Sequence, residues 1–271
     1  MKVKIIAVLM TILILAGSCS KSSSAAERSA APFTIEVGGS TSVTPLMELF
    51  AEEYANVKPN IKININGTGS GDGITNAGVT YQIGMSSREL TPAEQGRGLN
   101  AVTVAIDGIA VIVNKENSIA NLSVDQIKDI YMGIITNWSQ VGGSSAPIAV
   151  ISREAGSGTR GAFEEIIGFQ GKLLAGANES TSTGAIKAGI VQNPNAIGYI
   201  SLGSLDDTIK AISVGGAAAS NENVKKGLYA VARPFIILTG NNVHAESKAF
   251  TDWMLSAAGQ TIVNKSWISV N

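Results

Sequence analysis

From Phe33 to the C terminus, segments with the two-residue period of strands alternate with segments carrying the 3.6-residue period of helices. That alternation restricts the chain to an α/β fold with mainly parallel sheets. Residues 33–37 predict a strand, followed by a helix from about Pro45 with Thr44 as its cap and proline in its first turn. Leu46, Phe50 and Tyr54 form the apolar stripe of that helix. Strands are expected over 61–66 and 81–86, and Thr91 is placed to cap a helix beginning at Pro92. Two strands, 101–106 and 109–114, are expected on either side of Asp107-Gly108, and Ser123 caps a helix that Gly133 ends. Further strands are predicted over 147–152, 198–202, 209–214 and 235–239. Helices are predicted from Gly156–Thr159 through Ile167, over 185–191, and in two closing segments, 246–255 and 260–264.

The N terminus has a different character. Lys2 and Lys4 precede an apolar run, Ile5 to Ala16, that is short for a membrane span. Leu15-Ala16-Gly17-Ser18 leads into Cys19, so residues 1–18 have the layout of a secretory signal peptide. A cysteine directly after small residues resembles a bacterial lipobox, which makes Cys19 the expected lipidation site. An ordinary signal peptide with a spare thiol is the other reading. The segment 19–32, rich in Ser, Ala and Lys, reads as a tether from a lipid anchor to the domain. Cys19 is the only cysteine, so an internal disulfide and a cysteine-based metal site are both excluded.

Loss of residues 1–18 from the 271 removes two lysines and no acid, and the formal net charge moves from −1 to −3. Such a chain is a poor general binder of nucleic acid. An anion would have to be held by local donors and not by a positive field.

Four segments supply such donors: Gly38-Gly-Ser-Thr-Ser42, Gly67-Thr-Gly-Ser-Gly71, Gly84-Met-Ser-Ser-Arg88 and Arg153-Glu-Ala-Gly-Ser-Gly-Thr159. Each ends a predicted strand, offers glycine and hydroxyl residues, and leads towards a helix. In open α/β sheets the ligand crevice lies at the carboxyl ends of the strands. Helix N-termini there present unpaired N–H groups and the positive end of the helix dipole. Any one loop is equally readable as a turn with a cap. Four of one kind, with Arg153 four residues before Ser157, point to a tetrahedral oxyanion, since a guanidinium clamps two oxygens at once. At about 1.5–3 kcal/mol net per charge-assisted bond, several together reach the roughly 8 kcal/mol of micromolar capture.

In their order, these loops resemble the phosphate-binding proteins of bacterial phosphate ABC importers (PstS-like proteins). The resemblance extends through Ile83-Gly-Met-Ser-Ser-Arg-Glu-Leu90, Asp107-Gly-Ile-Ala-Val-Ile-Val-Asn114, Ile130 to Trp138, Ser152 to Arg160 and Ile197 to Leu202, and covers nearly the whole mature chain. It implies a two-lobed periplasmic-binding-protein-like (type II) fold with the ligand in the cleft. Lobe 1 would comprise residues 33–108 plus 235–271, and lobe 2 residues 109–234. The chain would cross near Asp107–Ala110 and near Arg233–Ile236. The family's donors carry over to Ser40, Thr41, Ser42, Ser70, Arg153, Ser157, Gly158 and Thr159, Ser87 is counted with them among the expected phosphate-binding residues, and Val43, Gly71 and Arg88 are possible additions. Two departures stand out. Ala155 occupies the place of an acid that would orient the arginine, and the neighbouring Glu154 is expected to point elsewhere. Ser87 stands where some members have an aspartate that accepts the proton of phosphate and helps exclude sulfate. Asp107 is the expected replacement acceptor, with Asp72 as the runner-up.

The function so implied is extracytoplasmic capture of inorganic phosphate by a membrane-anchored, monomeric lipoprotein. Closure of the lobes would deliver the anion to an ABC importer permease, with no cofactor, no metal and no nucleic acid involved. The alternatives are another oxyanion (sulfate, molybdate) or a phosphate-ester hydrolase. An enzyme is not expected. Ser70 and Ser157 lack a Gly-x-Ser-x-Gly frame, and the single histidine, His244, lies far along the chain from the loops.

Overall fold

The computed structural model describes residues 31–271. The signal peptide expected over 1–18, Cys19 and all but the end of the tether lie outside the described residues.

The strands are β1 (Phe33–Gly39), β2 (Ile61–Gly67), β3 (Ile83–Ser86), β4 (Asn100–Val113), β5 (Asn121–Leu122), β6 (Ala149–Arg153), β7 (Asn178–Ser180), β8 (Ala196–Ser201), β9 (Lys210–Ala211), β10 (Ser213–Val214) and β11 (Ala232–Thr239). The helices are α1 (Thr44–Val57), α2 (Ser70–Asn76), α3 (Pro92–Gln95), α4 (Val124–Tyr131), α5 (Gly158–Ile167), α6 (Thr183–Gln192), α7 (Asn221–Lys225), α8 (Ala245–Met254) and α9 (Ala257–Val263). The α/β class read from the alternation is the one observed. One hydrogen-bonded path runs β2-β1-β3-β11-β4-β8-β6-β7, with β9 also on β4, and β5 pairs with β10 apart from it.

The middle of this path corrects the expectation of two strands around Asp107-Gly108. They are one continuous strand, β4, which changes partners along its length. Residues Asn100 to Gly108 pair antiparallel with β11, and Ile109 to Val113 pair antiparallel with β8. An Asp-Gly pair is a turn signal. Here both residues stay extended, because Asp107 and Gly108 pair directly with Arg233 and Ala232. The outer strands are parallel, as expected: β1 with β2 and β3, and β6 with β7 and β8.

The buried apolar residues divide at the same point of β4. Ile35, Val37, Phe50, Ala105, Phe235 and Phe250 belong to one cluster, and Ile109, Val111, Tyr131, Phe163 and Tyr199 to another. Sequence-separated segments meet in each, which is why β4 and β11 together join the two halves.

The caps explain where helices begin. Thr91 and Ser123 each form a capping box, with Glu94 and Gln126 at the third helical position. Thr44 does not cap α1. The cap position falls on Val43, and the Thr44 hydroxyl donates to the Ser40 carbonyl instead, at 3.2 Å. The turn Ser40–Val43 closes through backbone bonds from Val43 N and Thr44 N to the same carbonyl, which sets the start of α1 without a side-chain cap.

Candidate functional site

Five strands deliver their carboxyl ends to one place. β1 ends before Ser40, β2 before Ser70, β3 before Ser87, β6 before the Glu154–Thr159 loop and β7 before Thr183. The side chains they bring in are polar and shut away from water. Ser42, Ser70 and Ser87 are fully buried, and Ser40, Arg153, Ser157 and Thr159 nearly so. Buried hydroxyls require partners, and these find one another. The Ser40 hydroxyl donates to Ser87 Oγ at 2.8 Å, Ser70 Oγ lies 3.3 Å from Ser87 Oγ and accepts the Ser87 N–H at 3.1 Å. From the other half of the chain, Thr159 Oγ1 lies 2.7 Å from Ser42 Oγ, and Thr183 Oγ1 lies 3.3 Å from both Ser42 Oγ and Thr41 Oγ1.

Glycine makes this approach possible. A Cβ on Gly158 would come within 2.2 Å of Ser70 Oγ and 2.9 Å of Ser87 Oγ. A backbone bond from Gly71 N–H to the Gly156 carbonyl, at 3.0 Å, ties the α2 loop to the α5 loop. Ser157 caps α5 by accepting the Arg160 N–H, so the first turn of that helix opens at this junction.

Arg153 lies at the end of β6. Its Nε and Nη2 donate side-on to Glu154, at 3.0 and 2.9 Å, and further to the carbonyls of Ser180 and Thr181. Glu154 therefore pairs with Arg153, contrary to the expectation that it points elsewhere. The loop after β6 turns back sharply enough for neighbouring side chains to meet. Behind Arg153, the Tyr199 hydroxyl accepts the Arg153 backbone N–H and bonds Ser152 Oγ. Burial holds that phenol up at about 12, so it stays a neutral donor and acceptor.

A second buried guanidinium, Arg233, was not singled out from the sequence. It sits on β11 opposite Asp107 and bonds Asp107 Oδ2 through Nε (3.3 Å) and Nη2 (3.1 Å), while Nη1 donates to the Ser87 carbonyl at 3.2 Å. Asp107 Oδ1 accepts from Ser201 at 2.7 Å. Burial pushes the Asp107 carboxyl up and the Arg233 guanidinium down. Their mutual attraction opposes both shifts, and Arg153 nearby adds to the lowering of Arg233. The signal available in the sequence was position alone, since Arg233 lies at the expected second crossing.

The remaining expected residues are placed differently. Asp72 is held locally, with Oδ1 accepting from Asn76 and Oδ2 from Thr68 and Tyr81. Arg88 forms a two-pronged pair with Glu94, at 2.7 and 2.8 Å, and leaves the hydroxyl cluster. Asp107 has both carboxylate oxygens engaged by Arg233 and Ser201. Thr183 joins the cluster but was missed, although Ser180-Thr-Ser-Thr-Gly184 is a hydroxyl-glycine run between β7 and α6 and was the signal that could have found it. His244 is exposed, caps α8 through Nδ1 and stacks on Phe33 with ring centroids 4.0 Å apart. Among the described residues no group of three or more His, Cys, Asp or Glu side chains is gathered as a metal centre.

The constellation can be compared with known proteins. A family model for the PBP superfamily domain matches residues 23–258. The phosphate-binding protein PstS of Borreliella burgdorferi is 30% identical over 246 residues, covering 85% of this chain and 88% of its own. The chain belongs to the PstS-like family. Its PstS-like relatives include the phosphate-binding protein PstS of Bacillus subtilis, 30% identical over 244 residues and covering 88% of this chain and 80% of its own. Among solved structures, a phosphate ABC transporter substrate-binding protein from Clostridium perfringens, with phosphate bound, is 46% identical. It superposes with a TM-score of 0.86 over 88% of this chain and 100% of that one. An ABC-type phosphate transport receptor from Vibrio cholerae is 36% identical, with a TM-score of 0.72 over 87% of this chain and 99% of that one. The PstS-like relatives are named as binding and transport proteins, and the PBP fold expected from the loops is the fold these neighbours share.

Proposed function

We propose that this chain captures inorganic phosphate on the outer side of the cytoplasmic membrane and hands it to an ABC importer permease. The observation that carries this reading is the buried cluster of Ser40, Ser42, Ser70, Ser87, Thr159 and Thr183 hydroxyls, drawn from both halves of the chain and flanked by Arg153. Names and bound phosphate among the relatives support the same ligand.

In this reading the halves are lobes, 33–108 plus 235–271 and 109–234, that hinge where β4 changes partners and where β11 begins. Hydroxyls that now bond across the junction turn onto the phosphate oxygens, and the N-termini of α1 and α5 supply backbone N–H groups and favourable dipole ends. Because each lobe supplies part of the donor set, the anion binds the closed state preferentially and shifts the population towards it. Arg153, oriented by Glu154, contributes the guanidinium. Cys19 carries the lipid, the 19–32 segment is the tether, and the protein works as a monomer without catalysing a reaction.

Isothermal titration of the full chain with phosphate tests the function, with saturable binding at one site per chain as the expected result. Absence of saturable binding refutes it. Replacement of Cys19 by alanine tests the anchor by moving the protein from the membrane fraction to the soluble one.

A further inference from the structure

Ser87 is where the strand-end loops meet. Its Oγ accepts from Ser40 Oγ at 2.8 Å and lies 3.3 Å from Ser70 Oγ, and its N–H donates to Ser70 Oγ at 3.1 Å. The Cβ direction of Gly158, from the other half of the chain, falls 2.9 Å from the same Ser87 Oγ. Whatever fixes Ser87 therefore fixes the place where these loops come together.

The sheet alone does not fix it. The ladder of β3 with β1 ends at Met85, and its ladder with β11 ends at Ser86, which pairs with Ile236. Beyond that pair β11 shifts register between Phe235 and Ile236, and its next residue but one, Pro234, has no N–H to donate. Ser87 is fully buried, and a buried carbonyl needs a donor. A side chain supplies it: Arg233 Nη1 donates to the Ser87 carbonyl at 3.2 Å.

The same guanidinium is itself held. Its Nε and Nη2 donate to Asp107 Oδ2 at 3.3 and 3.1 Å, and it lies over the Phe235 ring. Asp107 Oδ1 accepts from Ser201 Oγ at 2.7 Å, and Ser201 Oγ accepts the Gly203 N–H at 3.2 Å. A run of bonds thus leads from Ser87 to the end of β8, which pairs with the other stretch of β4. A planar guanidinium fork spans two acceptors at once, whereas a lysine presents a single nitrogen on a flexible stem. The Arg233–Asp107 pair carries no net charge, which leaves geometry as its main influence on a nearby anion.

We propose that Arg233 is a positioning residue for the anion: through the Ser87 carbonyl it holds the Ser87 hydroxyl in its place in the cluster, with Asp107 and Ser201 as the anchor that holds the guanidinium. The proposal rests on the phosphate reading above and adds to that site a residue that acts through Ser87 and not on the ligand.

The test is isothermal titration of the full chain, dialysed free of phosphate, with inorganic phosphate. Arg233→Lys keeps a cation beside Asp107 but cannot span both acceptors. Asp107→Asn combined with Arg233→Met leaves no buried charge alone, so it carries the test if the lysine variant fails to fold. Each is titrated with Ser87 present and in a Ser87→Ala background. The expected result is at least a roughly fivefold loss of phosphate affinity, equivalent to about 1 kcal/mol, that shrinks by at least about threefold once the Ser87 hydroxyl is gone. A smaller loss in a folded variant, or the same loss with and without that hydroxyl, overturns the proposal and leaves the phosphate reading standing. No phosphate binding by the unaltered chain overturns the functional reading, and the proposal with it.

Discussion

Gly158 is the position where a single methyl group tests closure most directly. It opens α5, and its Cβ direction points across the junction, 2.2 Å from Ser70 Oγ, 2.8 Å from Ser70 Cβ and 2.9 Å from Ser87 Oγ. Both serines are fully buried, so neither has room to retreat. Gly158 does not have the positive φ that would strain alanine. Alanine is also the better helix former, so the helix itself is not harmed. The cost of Gly158→Ala therefore falls on the contact between the α5 loop and the α2 and β3 loops. Forcing a methyl group into a packed region costs about 1–3 kcal/mol, or roughly a 5- to 150-fold loss of affinity at 1.4 kcal/mol per decade. If closure accompanies binding, that loss appears in the phosphate dissociation constant and not in the thermal midpoint of the ligand-free protein. Titration calorimetry reads the first and differential scanning calorimetry the second. Phosphate affinity unchanged in this variant would refute the reasoning that these loops must touch for the anion to be held.

Further outcomes follow from the same geometry. Arg153→Ala should weaken phosphate binding by more than about a hundredfold, because it removes a charge-assisted clamp and leaves Glu154 facing the cluster unpaired; titration calorimetry checks it. Arg88→Ala should leave phosphate affinity within about threefold of wild type, since its guanidinium is held by Glu94 away from the cluster. Asp107→Asn breaks a buried ion pair by removing one partner, and urea denaturation should show a loss of about 3–5 kcal/mol. The side-chain bonds from Arg88 hold the Glu94 carboxyl down at about 2, against an ordinary value of 4.5. A carboxyl whose folded value is depressed stabilises the fold above its unfolded value and loses that contribution as the pH falls through the folded one. Glu94→Gln should therefore lower the urea midpoint at neutral pH, and the gap to wild type should close as the pH falls from about 4.5 towards 2.

Much of this protein was legible in one dimension because it is encoded locally. The alternation of periods set the α/β class, and Thr91 and Ser123 announced α3 and α4, since a cap and its helix lie within four residues of each other. The loops holding Ser40, Ser42, Ser70, Ser87 and Thr159 were identifiable because glycine and hydroxyl residues at strand ends are a short-range pattern. What failed was decided by contacts distant in sequence. Asp107-Gly108 reads as a turn, yet pairing with Ala232 and Arg233 keeps it inside one long strand. The partner of Arg233 was equally hidden, since it takes Asp107 from 126 residues away, whereas Arg153 with Glu154 and Arg88 with Glu94 are local pairs set by how their loops turn. A charge far along the chain is brought into hydrogen-bond range only by the sheet. Residue types and local spacing thus determined what the site is made of, and the packing of β4 against β11 decided which of its charges remain available to a ligand.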